Sequence, residues 1–267
     1  MNGLISFAQF LFRYFSSLNN TVLDVVYRNM ESIKGKKILL VGATGGIGSR
    51  LAKLLIGSGA DLFITGRSQD KLKKVAAAIN LPEEKFISCD ITDSNAVARL
   101  NQRYFQSNQK IDILINASGI GIIKPFEELT EEEFLRSVNT NLFGAWLLMR
   151  SFMPSMKEAK KGLVINVPGV LGKVPMAGAA AYSATKYGLV GMTQSIREEI
   201  KRTDIRITNL FLGGVDSAFW DTINLRVQRD KMIMADEAAK AIWFLCQQPS
   251  SGVISEMVLQ PFNHQAI

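Results

Sequence analysis

The chain has 267 residues, 47% of them hydrophobic and 21% charged, and a formal net charge of +7. This composition is that of a globular protein and excludes wholesale disorder. Two cysteines and one histidine are too few for a disulfide framework or a clustered zinc site, so we predict a reduced, metal-free protein. Since the basic residues form no run interleaved with aromatic side chains, we expect no nucleic-acid partner.

Residues 1–34 differ in composition from the rest of the chain. Apolar side chains are dense between Leu4 and Phe15, but Arg13 interrupts them well short of the roughly 20 residues that a membrane span needs. No basic residue precedes this run, as a secretory signal would require, so we predict a cytoplasmic protein. A second apolar segment continues to Ile33 at helical spacing. We predict an amphipathic helical extension that packs on the body or a partner subunit, or that contacts a membrane surface.

Residues 35–267 alternate short apolar runs with segments of helical periodicity. The predicted strands are 37–41, 61–65, 85–88, 111–116, 163–167, 206–212 and 256–259, and the predicted helices are 46–58, 68–80, 93–108, 130–149, 182–202 and 235–247. Such alternation indicates a parallel sheet covered by helices on both faces. No linker or repeat interrupts it, so we predict a single doubly wound α/β domain.

A glycine-rich segment joins the first predicted strand to the first helix. Glycines there allow a tight turn and close approach of the backbone to a pyrophosphate, and the helix N-terminus offers free N–H groups to the phosphates. A plain strand-to-helix turn would need one glycine rather than three. The segment predicts a Rossmann-type dinucleotide site, with contacts from Gly42, Thr44, Gly45, Gly46, Ile47 and Gly48.

The second and third strands end in residues that bear on the choice of cofactor. Arg67 and Ser68 follow the second strand, where an NAD site would carry a carboxylate on the ribose hydroxyls. A guanidinium pairs bidentately with phosphate, so we predict NADP(H), unless Arg67 merely faces solvent. Asp90 and Ile91 follow the third strand, where Asp90 either receives the adenine amine or caps a turn.

Together with the segment from Tyr182 to Lys186, these motifs resemble the classical short-chain dehydrogenase/reductase family over residues 35–262. The resemblance implies that Tyr182 and Lys186 form the catalytic pair and that Asn141 orders a water in a proton relay. It also implies that Lys186 holds the nicotinamide ribose, and that the protein is a homodimer or homotetramer. Further cofactor contacts implied by the resemblance come from Asn116, Ala117, Ser118, Gly119, Gly213, Val215 and Ser217.

The spacing of the catalytic pair has its own physical logic. Residues four apart share one face of a helix, so Lys186 can lie beside Tyr182. We expect the neighbouring ammonium to lower the tyrosine pKa from its usual value near 10 toward the working pH. Tyr182 would then exchange a proton with a carbonyl or alcohol oxygen. An ordinary helix pair remains the structural alternative.

The sequence departs from the family pattern at three places. Ala117 and Leu212 replace an asparagine and a proline, and Gly169 stands where the family has its carbonyl-polarising serine. Losing one hydrogen-bond donor to a developing oxyanion costs about 10²–10³ in rate, although a backbone N–H at Gly169 or Val170 could replace it.

Two functions therefore remain open. We predict an NADP(H)-dependent oxidoreductase that interconverts a carbonyl and a secondary alcohol. The alternative is a non-catalytic NADP(H)-binding protein that acts in regulation or assembly. The segment from Ser217 to Met234 would shape the substrate pocket, and its apolar side chains suggest a pocket wall made by Phe219, Trp220 and Ile223.

Overall fold

A seven-stranded parallel sheet lies at the centre of the protein, for which a computed structural model describes residues 30–262. The strands are β1 (Lys37–Val41), β2 (Asp61–Gly66), β3 (Phe86–Ser88), β4 (Ile113–Asn116), β5 (Lys161–Asn166), β6 (Asp204–Leu212), β7 (Val215–Asp216), β8 (Ile233–Met234) and β9 (Glu256–Leu259). Their order in the large sheet is β3-β2-β1-β4-β5-β6-β9. The strand order reverses between β1 and β4, so a crevice opens at the carboxyl ends of these two strands.

Helices cover both faces of this sheet. They are α1 (Gly46–Gly57), α2 (Gln69–Ala78), α3 (Ser94–Ser107), α4 (Glu131–Val138), α5 (Gly144–Ala159), α6 (Ala180–Ile200) and α7 (Ala235–Leu245). One hydrophobic cluster joins α1, α2 and α7 to one face of the sheet, and a second joins α3, α5 and α6 to the other. Central strands are continuous apolar runs because both of their faces are buried. The doubly wound single-domain fold predicted from the sequence is confirmed.

The helix predicted over 130–149 is more complex in the structure. It begins as expected, with a reciprocal capping box between Thr130 and Glu133. A π-helical turn, Asn139–Phe143, then separates α4 from α5. The predicted end at Met149 is wrong, because α5 accommodates Pro154 and continues to Ala159. Proline in a helix interior removes one backbone hydrogen bond, which α5 tolerates at Pro154.

The predicted N-terminal extension lies largely outside the described residues, since its positions 1–29 are not covered. Residues 30–34 are not helical. Ile33 is only 3% exposed and belongs to the cluster that packs beneath α1 and α7. The N–H of Glu31 donates to the Gln247 carbonyl oxygen at 3.1 Å. Packing of the domain therefore starts before residue 35. Within residues 30–262, no helix combines the length and apolar character needed to cross a membrane.

Candidate functional site

The turn between β1 and α1 accepts no side chain at two of its glycines. Gly42 has a φ of 85°, which residues with a β-carbon rarely adopt. The N–H groups of Gly42 and Ala43 both donate to the Thr65 carbonyl oxygen, at 3.0 and 3.1 Å. A β-carbon at Gly48 would overlap the Gly42 carbonyl oxygen. The backbone of α1 therefore packs directly on the turn.

The N-terminus of α1 has no side-chain cap, unlike the N-termini of the next three helices. Side chains of Ser68, Asp93 and Thr130 cap α2, α3 and α4, respectively, each accepting a backbone N–H. No side chain caps α1, which follows Gly45 and carries no acidic residue in its first turn. Its N–H groups and positive helix end suit an anionic phosphate. The predicted cofactor residues at this helix end are Thr44, Gly45, Gly46 and Ile47.

The end of β2 has no room for an acidic side chain. A β-carbon at Gly66 would lie 2.9 Å from the Thr44 hydroxyl oxygen, so Thr44 fills the space that a larger residue would need. Arg67 follows with an exposed side chain and has no ion-pair partner in the part of the chain that the structure describes. Its guanidinium is thus available to a phosphate beside the glycine-rich turn.

The end of β3 leads into Asp90, for which the sequence left a contact to the adenine amine and a turn cap as alternatives. One carboxylate oxygen of Asp90, Oδ1, accepts from both the backbone N–H and the hydroxyl of Thr92, at 2.9 and 2.8 Å. Asp90 therefore caps a turn, although its side chain remains exposed. The neighbouring Ile91 is buried against Gly144 at the start of α5.

The loop after β4 supports the glycine-rich turn from the other side. Asn116 is buried and its side-chain oxygen accepts from the N–H and hydroxyl of Ser118, at 3.2 and 2.5 Å. This turn brings the backbone of Ala117 and Ser118 against Gly42, where a β-carbon would lie 2.8 and 2.9 Å from their atoms. Asn116 therefore shapes the crevice rather than pointing into it.

Two predicted catalytic residues, Asn141 and Lys186, approach Gly119, and the third, Tyr182, lies beside Lys186. A β-carbon at Gly119 would lie 3.1 Å from Asn141 Oδ1 and 3.3 Å from Lys186 Nζ. On α6, Lys186 Nζ lies 5.3 Å from the ring centroid of Tyr182 and donates to the Val167 carbonyl oxygen at 3.3 Å. A side chain at 119 would therefore displace Asn141 or Lys186 by a few tenths of an ångström.

The side chain of Asn141 is engaged at both ends. Its Oδ1 accepts from the Ile120 N–H at 2.9 Å, and its Nδ2 donates to the Ile120 carbonyl oxygen at 3.0 Å and to Thr185 Oγ1 at 3.2 Å. The π-helical turn places this amide between the loop after β4 and α6. Asn141 thus fixes the position of that loop relative to the helix that carries Tyr182.

Burial moves the pKa values of the catalytic pair in opposite directions. It raises the pKa of Tyr182 to about 12 and lowers that of Lys186 to about 8, because a low-polarity environment disfavours both charged forms. The expectation that the ammonium lowers the tyrosine pKa is therefore wrong for the protein chain alone. In this state Tyr182 is a protonated phenol at neutral pH.

Gly169 lies opposite the tyrosine hydroxyl, in a conformation reserved largely for glycine. Its φ and ψ are 74° and 167°, and a β-carbon there would lie 3.8 Å from the Tyr182 hydroxyl oxygen and 3.5 Å from the Leu212 carbonyl oxygen. Within residues 30–262, the N–H groups of Gly169 and Val170 donate to no backbone acceptor outside regular elements. Gly169 thus lies beside the Tyr182 hydroxyl, and Val170 begins the short helical turn that follows.

The loop after β6 closes over the crevice. A β-carbon at Gly213 would lie 2.6 Å from Pro261, and Val215 is buried in the short sheet of β7 and β8. Ser217 reaches the glycine-rich turn, because its Cβ would lie 2.8 Å from a β-carbon at Gly46. The two predicted cofactor segments are thus in direct contact.

Phe219 contacts Gly121, and this contact could not be predicted from the sequence. The Phe219 ring packs directly on Gly121, and its centroid lies 6.1 Å from that of Tyr182. Phe219 and Ile223 were predicted as pocket wall, but nothing in the sequence marks Gly121 as their counterpart. The sequence shows only that Gly121 is a second glycine two positions after Gly119.

Comparison with known proteins gives related enzymes along most of the chain. The family model described as short chain dehydrogenase matches residues 36–228. An uncharacterized oxidoreductase of Staphylococcus epidermidis is 27% identical over 232 residues, which cover 87% of this chain and 100% of that protein.

Two solved structures are similar in both fold and sequence. A metagenomic short-chain oxidoreductase in complex with NADP has a TM-score of 0.74 and 29% identity, covering 88% of this chain and 100% of that one. The 3-ketoacyl-(acyl-carrier-protein) reductase of Brucella melitensis, complexed with NADH, has a TM-score of 0.79 and 27% identity, covering 86% and 99% of the two chains.

Proposed function

Because the chain belongs to the short chain dehydrogenase family, we propose that it interconverts a carbonyl and a secondary alcohol by hydride transfer with NADP(H). The observation that carries this proposal is the cluster in which Asn141 and Lys186 approach Gly119 and Lys186 lies beside the Tyr182 ring on α6. Gly119 follows β4, and doubly wound sheets bind their ligands at the carboxyl ends of such strands.

The residues that would hold NADP(H) offer hydrogen-bond donors to its phosphate groups. The uncapped end of α1 faces the pyrophosphate position, and Arg67 is free for a 2′-phosphate. Lys186 would hold the nicotinamide ribose, as the family resemblance implies. The bound cofactor supplies or accepts the hydride. One similar structure contains NADP and the other NADH, so the preference for NADP(H) rests on Arg67 and Gly66.

Tyr182 acts as the proton donor when a carbonyl is reduced. Its pKa of about 12 keeps the phenol protonated at neutral pH, so the proton can move to the carbonyl oxygen as hydride reaches the carbon. Lys186 Nζ lies close to the Tyr182 ring. When this amine is protonated, its positive charge favours the phenolate that Tyr182 becomes after it gives up its proton. In the reverse direction the same oxygen must first lose its proton.

The backbone N–H groups of Gly169 and Val170 take the place of the missing serine hydroxyl. Gly169 lies beside the Tyr182 hydroxyl and Val170 follows it, and in this proposal their N–H groups donate to the carbonyl oxygen on which negative charge develops. Backbone N–H donors that are fixed before the reaction stabilise such charge without reorganisation.

A non-catalytic NADP(H)-binding protein is the second candidate, and the absence of a hydroxyl at Gly169 favours it. Turnover of a panel of ketones with NADPH, followed by absorbance, separates the two functions. We expect measurable reduction that Tyr182→Phe abolishes while NADPH affinity stays within about threefold. Tight NADPH binding with no turnover of any ketone would favour the second candidate.

The protein is also proposed to be a homodimer or homotetramer. Phe143 and Trp146 stack with ring centroids 5.4 Å apart, and both remain 37% exposed. Tyr187 on α6 is 43% exposed. Exposed aromatic side chains of this kind suit a symmetric partner surface. A membrane contact through residues 1–34 remains a separate proposal.

A further inference from the structure

The contact between Phe219 and Gly121 forms the wall of the space next to Tyr182. A β-carbon at Gly121 would overlap the tip of the Phe219 ring and would lie 3.0 Å from Ile223 Cδ1. Ile223 is 8% exposed. The ring therefore reaches this position only because residue 121 has no side chain.

The Phe219 ring is held in place by its own segment. The Trp220 ring meets it edge-on at 5.3 Å between centroids, and Trp220 Nε1 donates to the Val215 carbonyl oxygen at 3.0 Å. Arg229 donates to the Ser217 carbonyl oxygen at 2.6 Å. These bonds fix the start of the segment, so the aromatic wall is built before a substrate arrives.

Three cations near this wall have carboxylate partners, whereas Arg226 and Lys231, later in the same segment, are exposed. Lys124 pairs with Glu133 at 3.0 Å, and Lys173 pairs with Glu256. Arg229 binds Asp221 at 2.5 Å. Against the wall itself a substrate carboxylate would lose its water without gaining a polar partner from Phe219 or Ile223, whereas an apolar group would bury area against both.

We propose that Gly121 and Phe219 are a specificity-determining pair that selects carbonyl substrates with an uncharged, apolar group beside the reacting carbon. The inference rests on the proposed function, because it concerns the substrate of the same site. Gly121 acts through Phe219, by allowing the ring to approach, and Phe219 contacts the substrate.

Two ketones of matched shape test the pair, namely 4-methylacetophenone and 4-acetylbenzoate. We expect the wild-type protein to favour 4-methylacetophenone at least tenfold, both in kcat/KM with NADPH and in Kd for the complex with NADP⁺ measured by calorimetry. Phe219→Ala and Gly121→Ala should each raise the KM and Kd of this ketone at least fivefold and change those of 4-acetylbenzoate less than twofold. Phe244→Ala, on α7, is the control and should preserve the preference.

The double variant that combines Gly121→Ala with Phe219→Ala tests whether residue 121 affects substrate binding through the Phe219 ring or independently of it. Gly121→Ala should add less than a twofold change in the Phe219→Ala background, because the ring through which it acts is gone. A further fivefold loss would overturn the pairing. The ring tip can move aside, so Gly121→Ala should remain folded, and its melting temperature checks this.

Failure of this inference can be told apart from failure of the proposed function. Reduction of 4-acetylbenzoate as fast as 4-methylacetophenone would overturn the pair and leave the function standing. Phe219-dependent tight binding of 4-methylacetophenone without turnover would support the pair and contradict the function. Binding of neither ketone to the NADP⁺ complex would overturn the pair.

Discussion

Gly169 lies beside the hydroxyl of Tyr182, and a β-carbon at position 169 would stand 3.8 Å from that oxygen, in ordinary van der Waals contact. Residue 169 holds this position on a backbone of positive φ. Glycine at 169 offers no hydroxyl to a substrate. Within residues 30–262, the N–H groups of Gly169 and Val170 have no backbone acceptor outside regular elements.

Removing one of these N–H groups should slow catalysis. Val170 is the first residue of a short helical turn, where proline is tolerated, and the extended ψ of Gly169 suits a residue before proline. We expect Val170→Pro to lower kcat about 10²-fold, as loss of an oxyanion donor does. Val170→Ala keeps the N–H and should retain most of kcat. Equal kcat values in the two variants would contradict donation from this N–H.

Placing serine at position 169 should be costly on its own. The φ of 74° with ψ of 167° is a region open essentially to glycine alone, so Gly169→Ser should lose about 1–3 kcal/mol of unfolding free energy. Replacing Pro168 with serine as well relaxes the preceding backbone, and the double variant should turn over ketones about tenfold faster than the single one. Chemical denaturation and kcat measure both effects. An unchanged stability of Gly169→Ser would show that the turn adapts freely.

Arg67 should determine the preference between the two nicotinamide cofactors. We expect wild-type protein to bind NADPH at least tenfold more tightly than NADH, a difference of about 1.4 kcal/mol. Arg67→Ala should remove that preference by weakening only NADPH, as fluorescence titration would report. Lys74→Ala, an exposed cation on α2, is the control for general charge effects. A preserved preference in Arg67→Ala would show that another group binds the 2′-phosphate.

The buried lysine should make stability depend on pH. The pKa of Lys186 falls from 10.5 to about 8 on folding, so the unfolded chain binds more protons between these values and stability rises with pH across that window. The pKa of Tyr182 rises to about 12, so stability falls again above pH 10.

A variant without the lysine charge isolates this effect. We expect Lys186→Met to abolish turnover yet raise the melting temperature at pH 7, because no charge is then buried. The gain over wild type should shrink by pH 9.5, where the folded wild type holds Lys186 neutral. A gain that is the same at both pH values would contradict burial as the cause.

The first 29 residues should be dispensable for folding, unlike the next five. Deleting 1–29 should leave the domain folded and able to bind NADPH, while sedimentation with membranes or oligomer size changes. Deleting 1–34 also removes the buried Ile33, and loss of such a side chain costs about 2–5 kcal/mol. Size-exclusion chromatography and vesicle sedimentation measure the first effect, and thermal melting the second. Unfolding of the shorter deletion would place residues 1–29 in the core.

Local patterns in the sequence were enough to predict the sheet, most of the helices and the placement of Tyr182 and Lys186 on one helix, α6. The runs Lys37–Val41 and Glu256–Leu259 coincide with strands because both are short β-rich segments between turns. The direction of the Tyr182 pKa could not be predicted in this way, because burial depends on the whole fold. The partnership of Gly121 with Phe219 joins distant segments that share no periodicity. The π-helical turn at 139–143 contains Asn141, whose side chain bonds to the distant Ile120, and no local pattern in the sequence indicates this turn.

The contact between Gly46 and Ser217 has an evolutionary consequence. A side chain at 46 would collide with the Ser217 Cβ, since the two β-carbons would stand 2.8 Å apart. Drift at either position is therefore restricted by the other, although one belongs to the turn for the cofactor phosphates and the other begins the segment that carries Phe219. Lineages that diversify their substrates by remodelling residues 217–223 must do so within a space set by the cofactor turn.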